Sequence, residues 1–267
     1  MQTDTPYEEY IAISRYARYL PDKKRRETWE ETVDRYCDYM ENKFSVSIPA
    51  ISKMIKNKDV MPSMRSLMTA GVALDRENVC AYNCAYVAVD HIRVFGESLY
   101  IQMNGTGLGF SVERQHIAKL PEVAEEFHDT DSIVVVRDSK LGWATALDEY
   151  VRLLYSGKVP KVDISKVRPA GAPLKTFGGR ASGGEPFALT LHNITNVFKG
   201  AAGRKLNSIE LHDVMCYIGE CVVVGGVRRS ALISLSDLGD DQMRHAKSGQ
   251  WWENEGQRSL ANNSVAY

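Results

Sequence analysis

Beyond residue 60 the chain alternates short β-branched runs with stretches of helical period, and that alternation restricts the available folds more than any other feature. The runs fall at 84–90, 133–136, 222–224 and 232–235, and the helical patterns at 95–104, 143–155 and 209–224. A strand that returns to its sheet through a helix must cross over, so βα units and a mostly parallel sheet are predicted. Residues 7–58 differ. They carry dense charge with Tyr7, Tyr10, Ile11, Ile13, Tyr16 and Tyr19 at helical spacing, punctuated by Pro21 and Pro49. Two or three helices are expected there, with Lys23-Lys-Arg-Arg26 as a solvated helical face. The expected class is α/β: an N-terminal helical region over 1–60, then an α/β domain over 61–267.

Charge narrows the partners. The 33 basic and 34 acidic residues nearly cancel, which argues against a polyanion-binding surface and so against a nucleic-acid partner. A phosphate ligand would have to be held locally. No run of about 18 apolar residues occurs, and the opening Met-Gln-Thr-Asp-Thr-Pro lacks both a basic and an apolar signal region. No membrane association is expected, and the compartment is read as cytoplasmic. Five cysteines, at 37, 80, 84, 216 and 221, are too few and too odd in number for a secreted disulfide framework. Any disulfide formed in the cytosol would be transient and catalytic.

Two of those cysteines, Cys80 and Cys84, stand four residues apart just before the glycine run Gly105-Thr-Gly-Leu-Gly109. The spacing makes a poor zinc site, because neither a second Cys pair nor a His pair follows. A thiol pair closing to a disulfide supplies two electrons without metal or flavin, so redox chemistry is open to them. Cys216 and Cys221 lie in an apolar helical stretch and read as core. The glycine run is no dinucleotide fingerprint, since it follows a helical pattern and lacks the final GxxG spacing. It either lines a nucleotide site through its backbone N–H groups or is a tight turn without a ligand.

Two further stretches are basic and rich in glycine. Residues 168–186 hold five glycines and three prolines in 19 residues, which excludes a regular helix or central strand. Their cations Arg168, Lys175 and Arg180 suit phosphate recognition, against the alternative of a plain surface loop. The turn Gly225-Gly-Val-Arg-Arg-Ser-Ala231 follows an apolar helix, where Gly225 and the arginines would serve equally as a C-terminal cap.

Taken together, Met61-Pro-Ser-Met-Arg-Ser66, Asn83-Cys84-Ala-Tyr-Val, the glycine run, Phe177-Gly-Gly-Arg-Ala-Ser-Gly183, the Arg-Arg turn and Asn262-Asn-Ser-Val265 resemble ribonucleotide reductase in composition and order. Of that family's types the adenosylcobalamin-dependent (class II) one is the nearer. The resemblance runs from about residue 60 to the end, and implies roughly half of a ten-stranded α/β barrel. It implies a redox role for Cys84, and substrate contacts from Ser63, Ser66, Asn83, Gly107 and Gly109. It further assigns Arg168, Lys175, Gly178, Gly179 and Arg180 to a loop holding a deoxynucleoside triphosphate effector. Gly225, Gly226, Arg228 and Arg229 would then transmit the effector's identity to the substrate. Adenosylcobalamin is the implied cofactor, a ribonucleotide the substrate, and a thioredoxin-like protein the reductant.

The family's radical cysteine, in an Asn-Pro-Cys-Gly-Glu motif, is absent. The chain is therefore read as the N-terminal half, with a C-terminal half as its partner, whether from a split gene, an intein-interrupted precursor or a truncated frame. A fragment of a class I large subunit, or a nucleotide-binding or assembly subunit without chemistry of its own, are the alternatives.

Overall fold

The computed structural model describes residues 5–173, 180–224 and 231–266, in two compact units, Met1–Asn83 and Cys84–Tyr267. The first unit is helical, as the spacing predicts. It contains α1 (Pro6–Ile11), continued by a π-helical turn over Ala12–Tyr16, a hairpin of β1 (Tyr19–Leu20) and β2 (Arg25–Arg26), then α2 (Trp29–Phe44) and α3 (Pro49–Lys56). After these come α4 (Met64–Thr69), α5 (Val72–Arg76) and a 3-10 turn over Asn78–Ala81. Capping boxes start α1 at Thr5 with Glu8 and α2 at Thr28 with Glu31, each satisfying N–H groups that a helix start leaves open. Pro49 sits in the first turn of α3, where a missing N–H costs nothing. The change of composition near residue 60 thus falls inside this unit.

The basic run departs from expectation. Lys23 to Arg26 form the turn and second strand of a hairpin rather than a helical face, because the helix has already ended at Tyr16 and Lys24 turns the chain at φ 50°. Lys23 and Arg25 both reach Glu31, at 2.6 and 2.7 Å, and these hydrogen bonds, Arg25's first, hold its carboxyl well below the usual range. Deeper in the unit, buried Glu27 accepts from the Arg18 backbone N–H, the Thr32 hydroxyl and two nitrogens of Arg35. Arg35 in turn donates to the carbonyls of Tyr16, Leu67 and Ala70. The pair joins the π-helical turn, α2 and α4 through one set of charge-assisted bonds.

The second unit is α/β with parallel sheets. Four strands, β3 (Cys84–Ala88), β4 (Gly107–Ser111), β7 (Leu232–Asp237) and β8 (Ala261–Ala266), form one all-parallel sheet in the order β3-β4-β7-β8. Helix α6 (Val94–Met103) connects β3 to β4. Between β4 and β7 the chain leaves the sheet through the short α7 (Arg114–Ile117). It then builds a parallel pair, β5 (His128–Val135) and β6 (Lys158–Asp163), joined by α8 (Lys140–Tyr155). It returns along α9 (Glu185–Gly200) and α10 (Ser208–Val224), and the short α11 (Asp241–Arg244) and α12 (Trp251–Asn254) precede β8. Helices α6 and α10 lie on the sheet and touch each other, with α8 against α6 and α9 against α10.

Phe95, Leu99, Leu108, Phe110, Leu147, Val151, Phe187, Ile194, Leu211 and Ile218 are the buried heart of this core. Gly96 allows the close contact of α6 with α8, since a Cβ there would lie 2.4 Å from Asp148 Oδ1 and 2.7 Å from Ala144 O.

Residues 222–224, a β-branched run, end α10 instead of forming a strand. Helical continuity from a packed core overrides a propensity worth only tenths of a kcal/mol per residue. Sequence reasoning missed α9, although Phe187, Leu191, Ile194 and Phe198 carry a helical period, because the glycine-proline stretch before it dominated. It also missed β6, whose Pro160 is tolerated because the strand pairs on one side only among the described residues.

Helix α10 buries a titratable group. His212 is fully buried beside Phe110, ring centroids 5.8 Å apart, with Nε2 3.6 Å from Cys216 Sγ. Burial, then the charges of Arg258 and Lys247, push its pKa down to about 3. A histidine held neutral in the fold and free to charge when unfolded stabilises fully above its ordinary pKa of about 6.5 and progressively less as pH falls toward 3. Below about pH 6.5, stability should therefore decline by up to about 1.4 kcal/mol per pH unit from this group alone. His212→Leu should flatten that decline. Urea unfolding at about pH 7, 6 and 5 checks it, and equal slopes in both proteins would remove His212 from the account.

Candidate functional site

In a strand alternate residues face opposite sides, and parallel register carries each side across the sheet. One set of rows runs Ala85, Leu108, Leu232, Ala261 and Val87, Phe110, Ser234, Asn263. Leu108, Phe110, Leu232 and Ser234 in it are buried, and Phe110 meets His212 of α10, so this is the helix-covered side. The opposite set begins with Cys84 beside Gly107, followed by Tyr86, Gly109, Ile233 and Asn262, then Ala88, Ser111, Leu235 and Ser264. On this side Tyr86 is 54% and Ile233 45% exposed, and Cys84 and Asn262 are exposed as well.

Cys84 therefore opens β3 on the uncovered face of the sheet. It is the one exposed thiol: Cys37, Cys80, Cys216 and Cys221 are all buried. Burial drives the thiols of Cys216 and Cys221 upward, away from thiolate character. Cys80 sits in the 3-10 turn over Asn78–Ala81. Asn83, exposed, immediately precedes Cys84. The glycine run, read either as the lining of a nucleotide site or as a tight turn, divides: Gly105 turns at φ 75°, while Gly107 and Gly109 are strand residues beside Cys84 and Tyr86. The sheet thus brings Cys84, Gly107 and Gly109 together on one surface.

Other candidates lie apart in the sequence. Ser63, exposed, stands at the N-cap position of α4 without a capping side-chain bond, and Ser66 is half-buried within the helix, both in the first unit. Arg168 pairs with Asp138 at 2.9 Å, a partner from outside the basic stretch. Arg180 donates to the Gly171 carbonyl at 3.0 Å, and Gly171, Ala172 and Ala181 exchange backbone bonds, so the two arms of the loop are tied together. Lys175, Gly178 and Gly179 lie outside the described residues, as do Gly225, Gly226, Arg228 and Arg229.

A polar clasp, invisible in the sequence, fixes the last strand. Asp213 of α10 is bidentate to Arg258, both contacts 2.7 Å, and Arg258 also donates to the Ala246 carbonyl at 3.1 Å. Lys247 donates to the carbonyl of Ala261, the first residue of β8. Asp213 and Arg258 are 45 positions apart, and that separation left no local signal. Among the described residues no group of three or more His, Cys, Asp or Glu is placed to hold a metal ion. No described helix is long and apolar enough to cross a membrane.

No protein-family model matches the chain. Over 94% of its length it is similar to proteins named adenosylcobalamin-dependent ribonucleoside-triphosphate reductase. The one from Lactobacillus delbrueckii subsp. bulgaricus is 29% identical over 323 residues, and that from Lactobacillus leichmannii 28%. The likeness reaches into the N-terminal helices, further than the motifs alone extended. The chain spans 43% of the length of these relatives. Among solved structures, a B12-dependent (class II) ribonucleotide reductase shares the fold, with a TM-score of 0.81 at 24% identity, covering 96% of this chain and 45% of the other.

Proposed function

We propose that this chain is the N-terminal part of an adenosylcobalamin-dependent ribonucleotide reductase, in which Cys84 supplies one of the two thiols that reduce the substrate. The observation that carries this is the exposed Cys84 on the uncovered face of a parallel sheet, beside two glycines, with the other four cysteines buried. The four strands, with helices on one side and exposed Cys84, Tyr86, Ile233 and Asn262 on the other among the described residues, are consistent with a segment of a ten-stranded α/β barrel whose lumen is the Cys84 side. The domain division proposed from the resemblance, a helical region over 1–60 and a barrel segment over 61–267, assigns to the barrel segment the residues 61–83 that cluster with the first compact unit. The strand-edge N–H and C=O groups of β3 and β8 would be satisfied by strands of a C-terminal half.

The chemistry needs two thiols. Cys84 and a second thiol on the remaining part of the enzyme each lose a proton and an electron and close to a disulfide. The ribose C2′–O bond breaks, its hydroxyl leaves as water, and C2′ takes hydrogen in its place. A thioredoxin-like protein would then reopen the disulfide by exchange. Asn83, Gly107 and Gly109 are assigned to the substrate, and Ser63 and Ser66 to its phosphates. Arg168, Lys175, Gly178, Gly179 and Arg180 are assigned to a deoxynucleoside triphosphate effector, and Gly225, Gly226, Arg228 and Arg229 to its coupling with the substrate. Arg168 would have to share or exchange its Asp138 partner for a phosphate, which a bidentate guanidinium does readily.

The relatives are named as adenosylcobalamin-dependent. The face that carries Cys84 exposes Cys84, Tyr86, Ile233 and Asn262 around Gly109, while Ser111 on it is buried. The described residues do not by themselves make a cobalamin site, and none is assigned to it.

The test is reconstitution. This chain, combined with a chain carrying the radical cysteine and supplied with adenosylcobalamin and a dithiol, should convert ribonucleoside triphosphates to deoxyribonucleotides. Either chain alone should be inert. Turnover by this chain alone, or no turnover from a stable complex of the two, would overturn the assignment.

A further inference from the structure

Gly109 is not a glycine that the fold requires. Its backbone does not adopt positive φ, and a Cβ there would meet only Ala85 O and Tyr86 Cδ2, both at an ordinary 3.7 Å. Gly96 is the contrast, since a Cβ there would collide with α8. A strand interior loses roughly 0.5–1 kcal/mol by carrying glycine rather than alanine, so something other than packing is served at 109. Close approach of a ligand is the general reason for such a residue in a strand.

The row through Gly109 shows what flanks that approach. Tyr86 stands on one side, Ile233 and then Asn262 on the other, all exposed and all on the Cys84 face. Three strand spacings separate β3 from β8, about 14 Å between backbones. That is the scale of a nucleotide lying across the sheet. None of these four residues is charged, so the row is suited to the neutral nucleoside end of a ligand rather than its phosphates. A carboxamide offers a donor and an acceptor together, as sugar hydroxyls and base edges need. The clasp of Asp213, Arg258 and Lys247 sets the start of β8, and with it the register that turns Asn262 rather than Asn263 to this face.

Building on the function proposed above, we infer that Asn262 is a substrate-binding residue: its carboxamide hydrogen-bonds the nucleoside end of the ribonucleotide, which lies over Gly109 between Tyr86 and Ile233. Asn263, one residue on and facing the helix side, is the internal control, because both asparagines are exposed and neither should matter to stability.

The experiment uses the complete enzyme and cytidine triphosphate as substrate, with cytidine as a phosphate-free competitive probe. Asn262→Ala should raise KM for the triphosphate and the inhibition constant of cytidine by the same factor, about 3- to 10-fold, the value of one lost hydrogen bond. Maximal rate should change less than KM, and Asn263→Ala should change neither. Gly109→Ala should weaken both ligands without lowering the unfolding midpoint. An unchanged KM in Asn262→Ala, an effect on the triphosphate but not on cytidine, or an equal effect from Asn263→Ala would each overturn the inference. Likewise, if Gly109→Ala only destabilises, Tyr86 over Gly109 is a packing pair. Cys84→Ser, assayed in parallel, separates the two failures. If it stops turnover while Asn262→Ala is silent, only this inference falls; if it leaves turnover intact, the proposed function falls first.

Discussion

In the complete enzyme, Cys84→Ser is expected to abolish multiple turnover while leaving nucleotide affinity within a few-fold. Serine keeps the size of the side chain on the exposed face, so the sheet and its glycine floor are undisturbed. It cannot form a disulfide, and in the proposed reaction the two electrons that release the 2′-hydroxyl as water then have no source. The loss should be several orders of magnitude and should not be rescued by more reductant. Cys80→Ser should behave differently. That thiol is fully buried in a turn, so a hydroxyl there disturbs packing and costs stability, while turnover is retained. Steady-state assays of the two variants decide the matter. A dead Cys80 variant beside a working Cys84 variant would transfer the redox role to residue 80.

Glu27→Ala is expected to be the most destabilising single change in the first unit, by about 3–5 kcal/mol, as for a buried pair that loses one partner. Glu27 is 5% exposed and accepts four hydrogen bonds, two of them from Arg35. Without it, Arg35 keeps its carbonyl contacts to Tyr16, Leu67 and Ala70 but carries an uncompensated charge among them. Hydrogen exchange followed peptide by peptide should then show faster exchange across α2 and α4, with the second unit unaffected. Lys23→Ala is the comparison. It removes a surface partner of Glu31, where solvent already screens the charge, and should change little. Equal effects from the two substitutions would show that the buried pair holds nothing together.

Much of this molecule is legible in its amino-acid sequence. The short apolar run at 84–88 and the longer helical patterns over 94–103, 140–155 and 208–224 mark a strand and three helices locally, because length and flanking residues separate the two kinds of apolar segment. Capping boxes at Thr5 and Thr28 mark helix starts for the same local reason. The motif around Cys84, with its neighbours in order, was enough to indicate the relatives, and it singles out the residue on which the proposed chemistry turns. Where local signals conflicted, tertiary packing chose. The valine run at 222–224 stays helical, and Pro160 is accepted in a strand that, among the described residues, pairs on one side.

Other features have no local expression. That Cys84 is the exposed thiol, and that Gly107 and Gly109 lie beside it as strand residues rather than in a loop, depends on how β3 and β4 pair across the helix that separates them in the chain. The clasp between Asp213 and Arg258 and the pairing of Glu27 with Arg35 are polar contacts made in buried surroundings. Their strength comes from exclusion of water, which sequence spacing does not encode. Composition, period and motif thus determined which elements form and which cysteine to watch. Only the tertiary structure decided which face of the sheet is covered, and therefore which side chains stand with that cysteine, because register and burial are properties of strands brought together from distant parts of the chain.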